Sequence, residues 1–198
     1  MSKGNGRARP RRARSDRLSV AAVVVACAAS SGCKSAGGEL APAPGAAVSS
    51  LSVTSRSFPS GRAIPVDCTC DGADKSPDLT WSAPPPGTQS FAILAEDPDA
   101  SGGTFTHWIA YNVPADVRDL PEAADPVALG GAVGNNDFNR PGYSGPCPPK
   151  GELHRYLFRV FALNATVDVK PASTRADVDA ALSGHVLARG VLLGVFSH

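Results

Sequence analysis

Phe91-Ala92-Ile93-Leu94-Ala95 is an unbroken apolar run that stops at Glu96-Asp97-Pro98-Asp99-Ala100-Ser101. A short continuous apolar run beside turn residues predicts a strand buried on both faces, so the chain must supply a layer on each side of it. Pro98 fixes its own φ and pushes Asp97 out of the helical region, which holds Asp97 extended at the strand's end. A second apolar segment follows at once in Thr106-His107-Trp108-Ile109-Ala110-Tyr111-Asn112-Val113-Pro114. Alternation puts His107, Ile109, Tyr111 and Val113 on one face and Trp108 and Ala110 on the other. Neither face is polar, so this strand too is expected between two layers. The Pro/Gly-rich run Gly145-Pro146-Cys147-Pro148-Pro149-Lys150-Gly151-Glu152-Leu153 then delivers His154, Arg155 and Tyr156 to the start of a third strand, 156–163. His154 shares the parity of Tyr156 and Phe158, whereas Arg155 alternates to the opposite side. There Arg155 is expected to form an ion pair with Asp97 or Asp99.

Around these segments the chain reads as β-rich. Residues 51–55 alternate, and Val66, Cys68 and Cys70 lie at period two, so they are expected to share a strand face. Leu79-Thr80-Trp81 reads as a short strand stopped by Pro84-Pro85-Pro86-Gly87. Residues 116–141 form a long irregular region, a length that usually marks a functional or mobile loop. One helix is expected near the C-terminus. Thr174 and Asp177 resemble a capping box, and Val178, Ala181, Leu182 and His185 or Val186 follow at helical spacing. Gly190 is expected to break it, with 191–196 as a last strand. Seven or eight strands and one clear helix make the fold mainly β, an antiparallel β-sandwich with one or two peripheral helices.

The first 33 residues have a different character. They hold seven Lys/Arg and one acid, so of the 19 basic and 18 acidic residues 12 and 17 remain for the rest. The basic excess therefore belongs to the leader. The acidic remainder argues against nucleic-acid binding, which needs a basic footprint on the folded domain. A basic segment to Arg17, an apolar run from Leu18 to Ala29 and Ser30-Ser31-Gly32-Cys33 have the layout of a secretory signal peptide, too short to span a bilayer. Small residues before a cysteine resemble the lipobox of bacterial lipoproteins, with Cys33 the expected lipidated residue and Cys27 its rival. The expected organisation is a signal peptide over 1–33, an Ala/Gly/Pro/Ser-rich tether over 34–50 and a folded domain over 51–198. The protein is then exported and lipid-anchored in the cell envelope. A plain cleaved signal would instead leave a soluble periplasmic or secreted product.

Six motifs in order carry a family resemblance. They are Cys70-Asp71-Gly72, Ser76-Pro77-Asp78-Leu79-Thr80-Trp81, Asp97-Pro98-Asp99, His107-Trp108, Gly145-Pro146-Cys147-Pro148-Pro149 and His154-Arg155-Tyr156. Together they resemble the phosphatidylethanolamine-binding protein family, in particular its bacterial Raf-kinase-inhibitor-like branch, over about residue 50 to the C-terminus. The resemblance implies a large sheet packed on a smaller one. It also implies a small-ligand pocket holding Asp97, His107, Pro146, His154 and Tyr156, with Asp99, Trp108 and Arg155 in support. The implied ligand is a small anion of phosphate or phospholipid-headgroup type, with no cofactor and no metal. A role in modulating other proteins is known from eukaryotic relatives. The sequence departs from the family at Ser101, where proline is usual, and at Cys68, where an aromatic residue is usual before Thr69. Its end reads Gly194-Val195-Phe196-Ser197-His198 in place of Gly-x-Tyr-x-Arg.

The residues themselves are compatible with that reading. Two imidazoles can each donate an N–H to an anion and gain charge near neutral pH. Asp97 can fix a histidine tautomer or face an ammonium group. The alternative is a hydrolytic enzyme using Asp97, His107 and His154 as an acid–base or metal site. Short metal-ligand spacings such as His-Glu-x-x-His are absent, and Ser144 does not sit in Gly-x-Ser-x-Gly. In an oxidising compartment Cys147 is expected to pair with Cys70, with Cys68 as the other candidate partner.

Overall fold

A computed structural model describes residues 40–198 except 46 and 171. The signal peptide and the lipidation expected at Cys33 lie outside the described residues. In chain order the elements are β1 (Ser49–Ser50), β2 (Val53–Thr54), β3 (Arg62–Ala63), β4 (Leu79–Trp81), β5 (Ser90–Asp97), β6 (Phe105–Pro114), β7 (Asp119–Leu120), β8 (Ala132–Val133), β9 (His154–Leu163), α1 (Arg175–Leu182) and β10 (Val186–Phe196). A seven-stranded sheet has the order β1-β10-β9-β5-β6-β8, with β3 also on β10, and a three-stranded sheet has the order β2-β4-β7. The long strands pair antiparallel, but β1 and β3 both join β10 in parallel. The sandwich is therefore mixed at that edge.

Three layers result, as the doubly apolar strands require. Every residue of β5 is buried. Its Phe91, Ile93 and Ala95 pack with Leu79, Trp81, Val53 and Leu120 of the small sheet. Its Ala92 and Leu94 pack on the other side with Val178 and Leu182 of α1. Burying such a valine or leucine is worth about 1.5–3 kcal/mol, enough to hold a two-turn helix that would not persist alone. Thr174 caps α1 with Asp177 in a reciprocal capping box, as the sequence predicts.

Four expectations change. Residues 40–50 are not simply a tether: Leu40 and Ala43 are buried, and the Ala43 N–H bonds the Val186 carbonyl at 2.9 Å. The predicted strand over 51–55 splits, because Leu51 turns its side chain into the core between β1 and β2. Val66 to Cys70 is not a strand: Val66–Cys68 forms a 3-10 turn that buries Cys68 and leaves Val66 exposed. Gly190 does not end the helix, which stops at Leu182. It lies inside β10, where a Cβ would stand 2.3 Å from the Leu51 carbonyl oxygen, so the glycine lets the N-terminal segment cross the strand.

The Ser76-Pro77-Asp78 motif proves to be a structural hub. Buried Asp78 accepts from the Ser57 hydroxyl at 2.7 Å, and from the Ser55 hydroxyl, the Arg56 and Ser57 N–H groups and Arg56 Nε at 3.0 Å. Burial alone would raise its pKa, but these donors outweigh it and hold the carboxyl well below the usual 3.8 of an aspartate. A depressed pKa contributes stability that is present above pH 3.8 and lost as pH falls toward the folded value. Asp78→Asn is expected to cost about 2–4 kcal/mol at pH 7 and to flatten the acid limb of stability, measured by urea unfolding from pH 7 to pH 3. An unchanged acid limb would contradict this role.

Candidate functional site

Asp97, at the end of β5, and His154, at the start of β9, share the face that meets the small sheet. His107 should not join them by simple alternation. It does so through an irregularity in β6: Ala95 pairs with Trp108 but Glu96 pairs with Thr106, leaving His107 as an extra residue. Such a bulge re-aims a side chain. His107 accordingly turns to Tyr156 on the Asp97 side, ring centroids 5.4 Å apart. A second irregularity opposite Ala92, with Asn112 at φ 55, returns Val113 to the inner core. Val113 thus lies with Trp108 and Ala110, not with Ile109 and Tyr111 as alternation predicts.

The site centres on a buried acid–imidazole pair. His154 Nδ1 donates to Asp97 Oδ2 at 2.7 Å, and the Asp99 N–H donates to Asp97 Oδ1 at 2.8 Å. Asp97 therefore forms a turn and orients a histidine at once. The other His154 nitrogen, Nε2, meets Glu152 Oε2 at 3.2 Å, and the Glu152 side chain is 60% exposed. His107 Nδ1 donates to the Ser144 carbonyl at 2.8 Å, which in the neutral ring leaves the Nε2 lone pair free. Around His107 stand Phe105 and Phe138, centroids 5.1 and 5.6 Å away. Tyr156 is buried, and its hydroxyl has no hydrogen-bond partner among the described residues.

The two imidazoles differ in basicity. Burial pushes the His107 pKa down, and the Ser144 carbonyl and Asp97 only partly oppose it. Burial acts the same way on His154, but Asp97 and Glu152 outweigh it and its pKa is raised. His154 is thus the more readily protonated of the pair and His107 the less. Burial, helped by nearby Asp97, also raises the Tyr156 pKa, so its hydroxyl stays a proton donor.

A cavity of about 150 Å³ opens among Asp97, Ala100, Ser101, Phe105, His107, Phe138, Cys147, Pro148, Pro149 and His154. Three predicted pocket residues, Asp97, His107 and His154, thus line one cavity. Tyr156 stands behind His107, and Pro146 is buried beneath the wall with its carbonyl bonded to the Cys70 N–H at 3.1 Å. Trp108 packs in the core against Tyr143. Arg155 pairs with Asp99 at 2.6 Å on the outer side, and its guanidinium holds the Asp99 carboxyl down at about 2. Cys70 and Cys147 form a disulfide at the rim, and Cys68 is free and buried. Sequence reasoning missed Phe138, Glu152 and the Ser144 carbonyl. Only the unexplained length of the 116–141 loop pointed toward Phe138.

The sequence pattern of the phosphatidylethanolamine-binding proteins matches residues 54–197. The chain belongs to the phosphatidylethanolamine-binding protein family. It is 45% identical over 150 residues to the UPF0098 protein of Aquifex aeolicus, covering 74% of this chain and 88% of that one. It is 34% identical over 157 residues to LppC, a candidate lipoprotein of Mycobacterium tuberculosis, covering 79% of this chain and 77% of that one. The solved structure of Escherichia coli YbcL, described as a new member of the mammalian family, superposes with a TM-score of 0.71 at 35% identity, covering 76% of this chain and 99% of that one. The family homologue CT736 of Chlamydia trachomatis superposes with a TM-score of 0.70 at 32% identity, covering 75% of this chain and 98% of that one.

Proposed function

We propose that this protein is an exported, lipid-anchored binding protein whose pocket takes a small phosphate-type anion, as on a phospholipid headgroup. The observation that carries the reading is the convergence of His107 and His154 on one cavity, with Asp97 fixing the tautomer of His154. His154 supplies charge. Neutral His107 offers a lone pair to a ligand P–OH, or takes up a proton as an anion arrives. The aromatic walls lower the local polarity and strengthen each such bond. Binding without turnover is favoured by the state of the Ser144 hydroxyl. Ser144 Oγ accepts from Asn136 Nδ2 at 2.9 Å and Arg140 Nη2 at 3.1 Å, while His107 bonds the Ser144 carbonyl instead. The Ser144 hydroxyl is therefore not paired with His107 as a nucleophile with its base.

The test is calorimetric titration of the protein with phosphate, phosphoethanolamine and sulfate at pH 6 and pH 8. Sulfate keeps its charge over that range, so its pH dependence reports the protein. An anion that favours the imidazolium forms raises the histidine pKa values, and its affinity falls as pH rises through them. Tighter sulfate binding at pH 6 is expected, with proton uptake. His154→Ala should weaken binding about thirtyfold, the worth of a charged hydrogen bond of about 2 kcal/mol. Equal binding by wild type and His154→Ala would sink the proposal. Steady phosphate release, abolished by either histidine change, would favour the hydrolytic reading.

Glu152 stands at His154 Nε2 where a ligand oxygen would bind. Its removal should help an anion compete, so Glu152→Gln is expected to tighten phosphate binding a few-fold in the same titration. Lipidation is tested apart from the pocket. Cys33→Ser should release the protein from the membrane fraction, and release by Cys27→Ser instead would move the anchor to Cys27.

A further inference from the structure

His198 stands beside the disulfide. Its Nε2 lies 4.0 Å from Cys147 Sγ. Its Nδ1 donates to Asp71, 2.9 Å from Oδ1 and 3.0 Å from Oδ2. The Cys70 and Cys147 sulfurs and a His198 ring nitrogen all lie within 4.8 Å of one another. Two thiolates and one imidazole, with a fourth position open to water, form a recurring zinc donor set. A carboxylate on the far ring nitrogen is the usual partner of a metal-binding histidine, because it fixes the tautomer. Here Asp71 keeps the proton on Nδ1 and leaves the Nε2 lone pair on the sulfur side.

We propose that reduction of the Cys70–Cys147 disulfide opens a zinc site made by Cys70, Cys147 and His198, with Asp71 orienting the imidazole. An external dithiol gives two electrons and two protons to the disulfide and leaves as its own disulfide. Zinc then displaces the two thiol protons and binds both thiolates. Tetrahedral zinc, with bonds of about 2.3 Å to sulfur and about 2.1 Å to nitrogen, sets its ligand atoms about 3.5–3.8 Å apart. The imidazole is already near that separation, and the freed sulfurs have only to part to it.

Bonds other than S–S keep the two sulfur-bearing segments together. The Cys70 N–H bonds the Pro146 carbonyl at 3.1 Å, and the Tyr143 hydroxyl donates to the Cys68 carbonyl at 2.7 Å. Gly145 lies so close that a Cβ would stand 2.5 Å from the Cys68 carbonyl oxygen. His198 is held from below by the Phe196 ring, 5.8 Å away. Cys68 does not compete, because its side chain is buried in the hydrophobic core.

The experiment uses the full-length chain with Cys27→Ser and Cys33→Ser, so that only the domain thiols remain. Oxidised and phosphine-reduced samples are titrated anaerobically with zinc against a chromogenic chelator, and with cobalt as a spectroscopic substitute. The reduced protein should bind one zinc per chain and show thiolate-to-cobalt charge transfer, and the oxidised protein should do neither. Zinc should raise the Tm of the reduced form alone. His198→Ala, a change at the last residue, should weaken zinc binding about tenfold or more, and Asp71→Asn should weaken it less. Zinc uptake by the oxidised form equal to that of the reduced form overturns the proposal. So does a His198→Ala variant that binds as tightly as its parent. A reduced chain that unfolds, and that zinc does not return to the oxidised form's circular dichroism, overturns it equally.

Discussion

A chain carrying both Cys70→Ser and Cys147→Ser should lose about 4–5 kcal/mol of unfolding free energy relative to the oxidised protein. The bond joins residues 77 apart, and the loop it closes contains β4 through β8. It therefore limits the unfolded excursions of strands from both sheets. Loop-closure entropy of that length gives the quoted magnitude, to which native hydrogen bonds add nothing because they survive the substitution. Urea unfolding at pH 7 measures it. The slope should also rise, since the unfolded chain without its cross-link exposes more surface. A loss below about 1 kcal/mol would mean that the unfolded chain is already compact around this loop.

Asp97→Ala should be the most disruptive change within the pocket. It removes the acceptor of the buried His154 Nδ1–H and of the Asp99 N–H together. Breaking a buried charged pair from one side costs about 3–4 kcal/mol, because the remaining partner stays desolvated. The pH dependence separates this from a simple cavity effect. In wild type the raised His154 pKa contributes stability that is fully present below pH 6.5 and lost as pH rises through the folded value. Without Asp97, burial outweighs the exposed Glu152, so the pKa falls and the tilt reverses. NMR titration of the His154 ring, beside urea unfolding at pH 5.5 and pH 8, reads both. A His154 resonance that still titrates above pH 6.5 in the variant would show that Glu152 alone sustains the charge.

The strands and the helix were legible because their patterns match their surroundings. The segment 91–95 is apolar at every position, and the structure covers it on both faces. Asp177 stands three residues after Thr174 and closes the predicted capping box. Arg155, opposite in parity to His154, meets Asp99 as expected. What stayed hidden depended on backbone conformation that composition does not encode. Alternation assigns His107 to the helix-covered face, and only a bulge turns it into the cavity. The Val66–Cys70 segment has strand periodicity but folds as a tight turn, because it must bring Cys70 to the Pro146 carbonyl. Glu96 was no more than the residue before Asp97. In the structure it points to the opposite face and ties Arg159 and Arg175 to the sheet. Glu152 gave no signal, since an exposed glutamate in a loop resembles any other.

Strand β10 fixes which way the pocket faces. Pro42 bridges to Val186 at one end of the strand, and Phe196 pairs with His154 at the other. Ten residue steps at about 3.3 Å separate these points by about 33 Å. The cavity beside His154 and the point where Pro42 joins the sheet therefore lie at opposite ends of one strand, so a ligand approaches the domain from the side away from the entry of its N-terminal segment.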